Sequence, residues 1–327
     1  MYGTTTLTAV SSTLTANVST VNPTVWANTS YTFTINTSDP LTAQGMIRIT
    51  FPVTVTPPMS QVNCATLIGI NLNTLPTCSY DSGSNSITIS NLNGSSTVTT
   101  IPAQAGISLS INGVTNPGDT ATTGNFIITT FYTSNTQGVV DIGSIAGVTS
   151  TTGTISINTI SVVPSSYVAM QSGVTYTVNF NNTYIIPQNG YIVLDIPNDI
   201  TIVTALLPNY CRLSISASNY FPTTCTLTTT PNTSFYQITF SSPAQSAAIP
   251  PNSLISLQIL SICTNPTNTR IVTPFQIYTY SSNAAIESRT TAITVQMQTP
   301  ASFTIVEVSR ASQQNSALTA YTMTLKQ

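Results

Sequence analysis

Apolar and polar residues alternate along this chain with a period of two. Tyr31, Phe33 and Ile35 are separated by Thr, and Ile47, Ile49 and Phe51 by Arg and Thr. Ile107, Leu109 and Ile111 are separated by Ser, and the run Phe126, Ile128, Thr130 follows. Alternate side chains of an extended strand point to opposite faces, so each run predicts a strand with one buried face. Pro52 stops the second run, where a residue without an N–H suits a strand end. Thr, Val, Ile, Ser and Asn dominate and prolines interrupt most windows, which disfavours helices.

The same order of strands then recurs. Tyr31, Tyr176 and Tyr321 follow one another at intervals of 145 residues, and YTFTINTSDPLTAQGMIRITFP (31–52) aligns without a gap on YTVNFNNTYIIPQNGYIVLDIP (176–197). Gly45 falls on Gly190 and Pro52 on Pro197. Ile255, Leu257 and Ile259 repeat the later run, and both versions end in Thr-Asn-Pro, at 115–117 and 264–266. Phe275, Ile277 and Thr279 follow in turn, the offset having drifted from 145 to 149 through loop-length changes. The chain reads as residues 1–152 and 153–300, two copies of one unit, with 301–327 opening a third. Six to eight short strands per copy predict an all-β fold of tandem immunoglobulin-like antiparallel β-sandwich domains, a closed barrel being the competing architecture. TISINTISVV (154–163) reads as strand, so the last strand of one copy is expected to run almost directly into the next, making a stiff array.

Composition narrows the function. Hydrophobic residues are 41% of the 327, enough for a core in each copy, whereas charged residues are 4% against about 25% in ordinary globular chains. Ser and Thr supply roughly 30% instead. The net charge is −2, and Arg48, Arg212, Arg270, Arg289, Arg310 and Lys326 stand singly, so nucleic acid is excluded as a partner. No run approaches 18 apolar residues, so no membrane insertion is expected in this window. No signal peptide is visible after Met1, and the partial third copy suggests a fragment of a longer, fibrous protein.

Catalysis has little to work with. There is no histidine, and the closest carboxylates, Asp195 and Asp199, read as a strand residue and a turn residue. No phosphate loop, nucleophile elbow or calcium loop occurs, so no enzyme, cofactor or metal is expected. The cysteines are structural in pattern. Cys64 and Cys78 are 14 apart, as are Cys211 and Cys225, at equivalent places in the two copies. That repetition predicts one local disulfide per copy and an oxidising compartment, with buried thiols or a zinc site as weaker alternatives. Cys263 aligns near Val114 and is either a buried thiol or a free, crosslinking one.

Six Asn-x-Ser/Thr sequons begin at Asn17, Asn28, Asn36, Asn93, Asn181 and Asn232. In an extracellular chain these are candidate glycan acceptors, and Asn36 and Asn181 match under the repeat. Sheet edges are ordinarily protected by charges, which this chain lacks, so glycans or neighbouring subunits are expected to cover them.

The run from Gly45 to Pro52, the paired cysteines, the I-x-L-x-I strand with its Thr-Asn-Pro and the F-x-I-x-T strand together resemble tandem immunoglobulin-like modules of large, Ser/Thr/Asn-rich surface proteins of protists. The resemblance implies an extracellular or cell-surface protein and carries no catalytic or ligand residue. The expected function is a structural subunit of a glycosylated filament or surface appendage whose partners are copies of itself or adjacent repeats. The alternative is the stalk of an adhesin whose binding domain lies outside this window. In a variant of the filament reading, the 301–327 tail inserts into a neighbouring subunit.

Overall fold

The computed structural model describes residues 12–42, 44–59, 62–68, 76–92, 100–132, 138–216, 224–228, 234–241, 247–282, 284–299, 304–311 and 321–326. In the first unit one sheet has the spatial order β1 (Ser12–Thr13), β12 (Val139–Ile145), β11 (Phe126–Phe131), β5 (Met46–Thr50), β8 (Ser86–Ser90), β7 (Thr77–Asp81). The sheet packed on it is β2 (Thr15–Thr20), β3 (Asn28–Asn36), β10 (Gly106–Thr115), β6 (Asn63–Ile68). β4 (Leu41–Thr42) and β9 (Thr100–Ile101) form a short separate ribbon.

The second unit repeats the plan. Its first sheet is β13 (Gly153–Thr154), β23 (Ala285–Gln296), β22 (Ile271–Tyr280), β16 (Tyr191–Pro197), β20 (Phe235–Ser241), β19 (Thr224–Thr228). Opposite it lie β14 (Ser161–Pro164), β15 (Val174–Asn181) and β21 (Leu254–Thr264), with β17 (Thr201–Ile202) and β18 (Cys211–Ile215) on the far edge of β21. Among the described residues the strands pair antiparallel except where β1 meets β12 and β13 meets β23, and two isolated bridges, Thr24 to Thr151 and Val168 to Gln298, are also parallel. β24 (Thr304–Arg310) and β25 (Tyr321–Lys326) form a separate antiparallel hairpin. The architecture is an all-β sandwich of two open sheets per unit, not a closed barrel.

The alternation seen in the sequence is the cause. Tyr31, Phe33 and Ile35 on β3 face Ile47 and Ile49 on β5 and Phe126 and Ile128 on β11, all fully buried. Phe33, Phe51 and Phe126 meet edge to face with centroids 5.6–5.8 Å apart, a geometry that adds to simple burial. A second, separate core gathers Tyr176, Val178, Phe180, Ile192, Leu194, Phe275 and Ile277 at the matching positions. Gly45 and Gly190 recur because the chain passes against a neighbouring backbone there. A Cβ on Gly45 would lie 3.1 Å from the Phe131 carbonyl, and one on Gly190 2.7 Å from that of Tyr280.

One expectation at the join fails. The stretch 154–163 is not one continuous strand, although the copies do follow one another directly. It starts on β23 as β13, turns through the 3-10 helix Ile157–Thr159, and continues on β15 as β14. A segment that leaves one sheet for the other must break its extended run, and period-two reading does not register such a turn. Thr151 still bonds to Pro23 and Val25 of the first unit, while Gly153 already pairs with Glu287 of the second.

Each unit is bracketed at one end by the asparagine of its Thr-Asn-Pro. Tyr31 Oη donates to Asn116 Oδ1 at 2.8 Å, and Asn116 Nδ2 donates to the carbonyls of Asn22 and Thr24 at 2.7 Å each. In the second unit Tyr176 donates to Asn265 at 2.6 Å, and Asn265 Nδ2 to Ser166 and Val168 at 2.8 Å. Burial pushes the Tyr31 hydroxyl up to about 12, so it is a permanent donor. Replacing Asn116 by Ala strands a buried hydroxyl and two carbonyls and is expected to cost about 3 kcal/mol in urea unfolding, whereas Tyr31→Phe costs about 1 kcal/mol.

Candidate functional site

The features that bear on function are the sheet-to-sheet ties, the join and the outward faces. Cys64 on β6 is bonded to Cys78 on β7, with Cα atoms 6.4 Å apart, and Cys211 on β18 to Cys225 on β19, 6.3 Å apart. β6 and β18 lie in one sheet of each sandwich and β7 and β19 in the other, so each bridge ties the two sheets covalently at corresponding edges. A loop of this length contributes roughly 3 kcal/mol by the chain-entropy model. Cys263 takes the position of Val114 on the strand before Thr-Asn-Pro: it pairs with Val174 as Val114 pairs with Thr29. It is fully buried and unbonded, and burial pushes its thiol up to about 12. Its burial in the place of Val114 fits the buried-thiol reading.

Two hydrogen bonds join the units across the seam, among the described residues. Thr120 N donates to the Ala285 carbonyl at 3.0 Å, and Ser281 Oγ to Asp119 Oδ2 at 2.7 Å. Asp119 also accepts the Ala121 N–H at 3.0 Å, which fixes the loop that makes the contact. Asn268 holds the corresponding loop of the second unit in the same way, accepting from Arg270 N at 3.2 Å. Sequence reasoning missed this contact, because its partners lie more than 160 residues apart and belong to no motif.

Three of the candidate glycan acceptors share one surface. Asn17 on β2 and Asn28 and Asn36 on β3 are exposed, and the register of Asn17 with Thr34 and Thr15 with Asn36 puts all three on the same outward sheet face. Asn181 occupies the place of Asn36 at its strand end but is half-buried, and the hydroxyl of its sequon partner Thr183 donates to the Thr154 carbonyl at 3.1 Å. Asn93 and Asn232 lie outside the described residues.

The two carboxylates closest in sequence, Asp195 and Asp199, have separate partners. Asp195 sits on β16, buried and accepting from Gln237 Nε2 at 3.1 Å; burial raises its carboxyl and that bond lowers it. Asp199 lies in the following turn, paired with Arg270. Among the described residues no group of three or more His, Cys, Asp or Glu side chains is placed to hold a metal ion, and no helix is long and apolar enough to cross a membrane.

Glu287 is the buried acid of the seam. It has no exposure, accepts Thr183 N at 2.8 Å and lies 3.4 Å from Thr279 Oγ1, beneath the strand that opens the second unit. Burial pushes its carboxyl up to about 7 against the pull of the Thr183 bonds. Between the ordinary value of 4.5 and about 7 the unfolded chain is ionised and the folded chain is not, so folding must take up a proton. Unfolding free energy is therefore expected to fall as pH rises from 4.5 to about 7, and Glu287→Gln to flatten that slope in denaturant titrations across the window.

No family model and no curated protein matches the chain. Solved structures overlay on it loosely. The C-terminal domain of the Streptococcus agalactiae AgI/II polypeptide BspA is 8% identical, covering 87% of this chain and 98% of its own, with a TM-score of 0.26. The C-terminal domain of the Streptococcus pyogenes antigen I/II-family protein AspA is 7% identical over 87% and 99%, with a TM-score of 0.29. The collagen adhesin of S. aureus is 12% identical over 88% and 93%, with a TM-score of 0.22. These proteins are bacterial, so a protist origin gains no support from them, and with overlays this loose nothing further is argued.

Proposed function

We propose that this chain is a structural segment of an extracellular, glycosylated filament or cell-surface appendage, built from units 1–152 and 153–300 in series with 301–327 opening a third. The observation that supports it most directly is the repetition of one sandwich plan, with its inter-sheet disulfide and asparagine bracket, across a seam with one residue, Thr152, between the pairing of one unit and that of the next. Short joins of this kind transmit orientation from one unit to the next, whereas a flexible linker would not. The disulfides fit an oxidising, extracellular setting. The uncharged, hydroxyl-rich outward face with three exposed sequons fits a sugar-covered surface, and the resemblance of the motifs to large surface proteins fits the same reading. The partners are copies of the same unit, in the same chain or in neighbouring ones.

Negative-stain microscopy of the natural material is the test. Continuous or beaded fibres with a repeat set by the unit are expected, and glycopeptide mapping should place sugar on Asn17, Asn28 and Asn36. Dispersed short rods without fibres would contradict the filament and favour an adhesin stalk.

A further inference from the structure

We infer that the depression beside Asn36 is the seat of the innermost sugar of a glycan carried by that asparagine, a neutral hexosamine ring held against Thr15, Thr37 and Gln104. The inference rests on the sugar-covered surface proposed above and names where on it a sugar is bound as well as attached.

The depression follows from the register. Asn36 stands between Thr15 on β2 and Gly106 on β10. Gly106 brings no side chain, and a Cβ there would lie 3.6 Å from Asn36 Oδ1, so the Asn36 amide already reaches over the gap. Thr15, Asn36, Thr37, Ser38 and Gln104 line the space that remains, about 470 Å³. Sites that hold small ligands run from about 300 to 1,000 Å³. Gln104 sits at φ 57, and its N–H donates to the Thr37 carbonyl at 2.7 Å, which fixes that wall.

The lining chemistry suits a sugar. Each of the five side chains is a neutral hydroxyl or amide, able to exchange hydrogen bonds with ring hydroxyls and offering no counter-charge to an ion. Thr37 is 1% exposed, and its Oγ1 has no hydrogen-bond partner. A buried hydroxyl left unpaired is costly, and an acceptor brought into the depression meets it after a turn about one side-chain bond.

The second unit shows the same place built differently. Leu254, 43% exposed, pairs with Asn181 as Gly106 pairs with Asn36, so a side chain stands where the glycine leaves room. Asn182 takes the Thr37 position, its amide donating to the carbonyls of Tyr184 and Pro250 and accepting from Ser253 N. The two sequons align in sequence, yet only the neighbours of Asn36 leave a hydroxyl unmet beside an open space.

The test is release of the glycans by a peptide N-glycanase from the native full chain, secreted by a glycosylating host and followed site by site in peptide maps. Asn17 and Asn28, which pair with Thr34 and Thr115, are the internal controls. Release at Asn36 is expected to be at least about tenfold slower than at either, equivalent to about 1.4 kcal/mol of contact. Gly106→Leu copies the second unit, and Gln104→Gly keeps the backbone bond at a φ that glycine adopts freely. Each should bring release at Asn36 up to the control rate with the circular dichroism spectrum unchanged. Equal release at the three sites of the unaltered chain, or slow release at Asn36 that the variants leave unchanged, would overturn the seat. Sugar on Asn17 and Asn28 with none on Asn36 would overturn it as well and leave the sugar-covered surface standing, whereas sugar at none of the three would overturn both.

Discussion

A sandwich with almost no charge must satisfy its buried polar groups with neutral donors, and the side-chain amides of Asn116 and Asn265 meet that demand where it is most concentrated. Each accepts one hydrogen bond from a buried tyrosine and donates two to carbonyls of the loop that joins the two strands of the first hairpin. An aspartate there would offer no donors, and an alanine would leave all three partners unpaired in a low-dielectric interior. The bracket holds that hairpin loop against the end of the strand before Thr-Asn-Pro. That places Trp26 and Met170, both at positive φ, and the bridges from Thr24 to Thr151 and from Val168 to Gln298. The end of each unit, and so the start of the next, hangs on it.

The core and the strand order were legible in the sequence because burial on one sheet face writes itself as alternation. Tyr31, Phe33, Ile47, Ile107 and Phe126 and their second-unit counterparts are all buried. What was not legible depends on tertiary pairing. The splitting of 154–163 between two sheets leaves no periodic trace, and β1 and β13 are two-residue strands too short to carry one. Cys64 and Cys78 could be paired by spacing, but that each bridge crosses from sheet to sheet follows only from the neighbours of β6 and β7. Nothing in the sequence marks Glu287 as buried. Its hydrogen-bond partners Thr183, in the loop after β15, and Thr279, on β22, are brought to it only by the fold.

The two units differ at the end of the sheet where β5 meets β11 and β16 meets β22. Arg48 lies over the Phe131 ring at 5.0 Å in the first, whereas Tyr191 and Tyr280 stack at 4.8 Å at the corresponding sheet position in the second. The asparagine brackets recur in both units, while core side chains are exchanged at matching positions, Phe33 for Val178 and Ile35 for Phe180. The loop contact of Asp119 and Thr120 on Ser281 and Ala285 adds orientation to spacing, since it restrains rotation about the short seam.

The central assertion is that two self-contained sandwiches stand in line, each cross-tied by its own disulfide. Single-molecule stretching of the full chain between its termini tests this directly. Two unfolding steps of nearly equal length are predicted, and on reduction each should lengthen by the 14-residue loop that its cystine had shielded, about 4–5 nm. One undivided step, or a reduction-dependent gain in only one of two steps, would contradict the account.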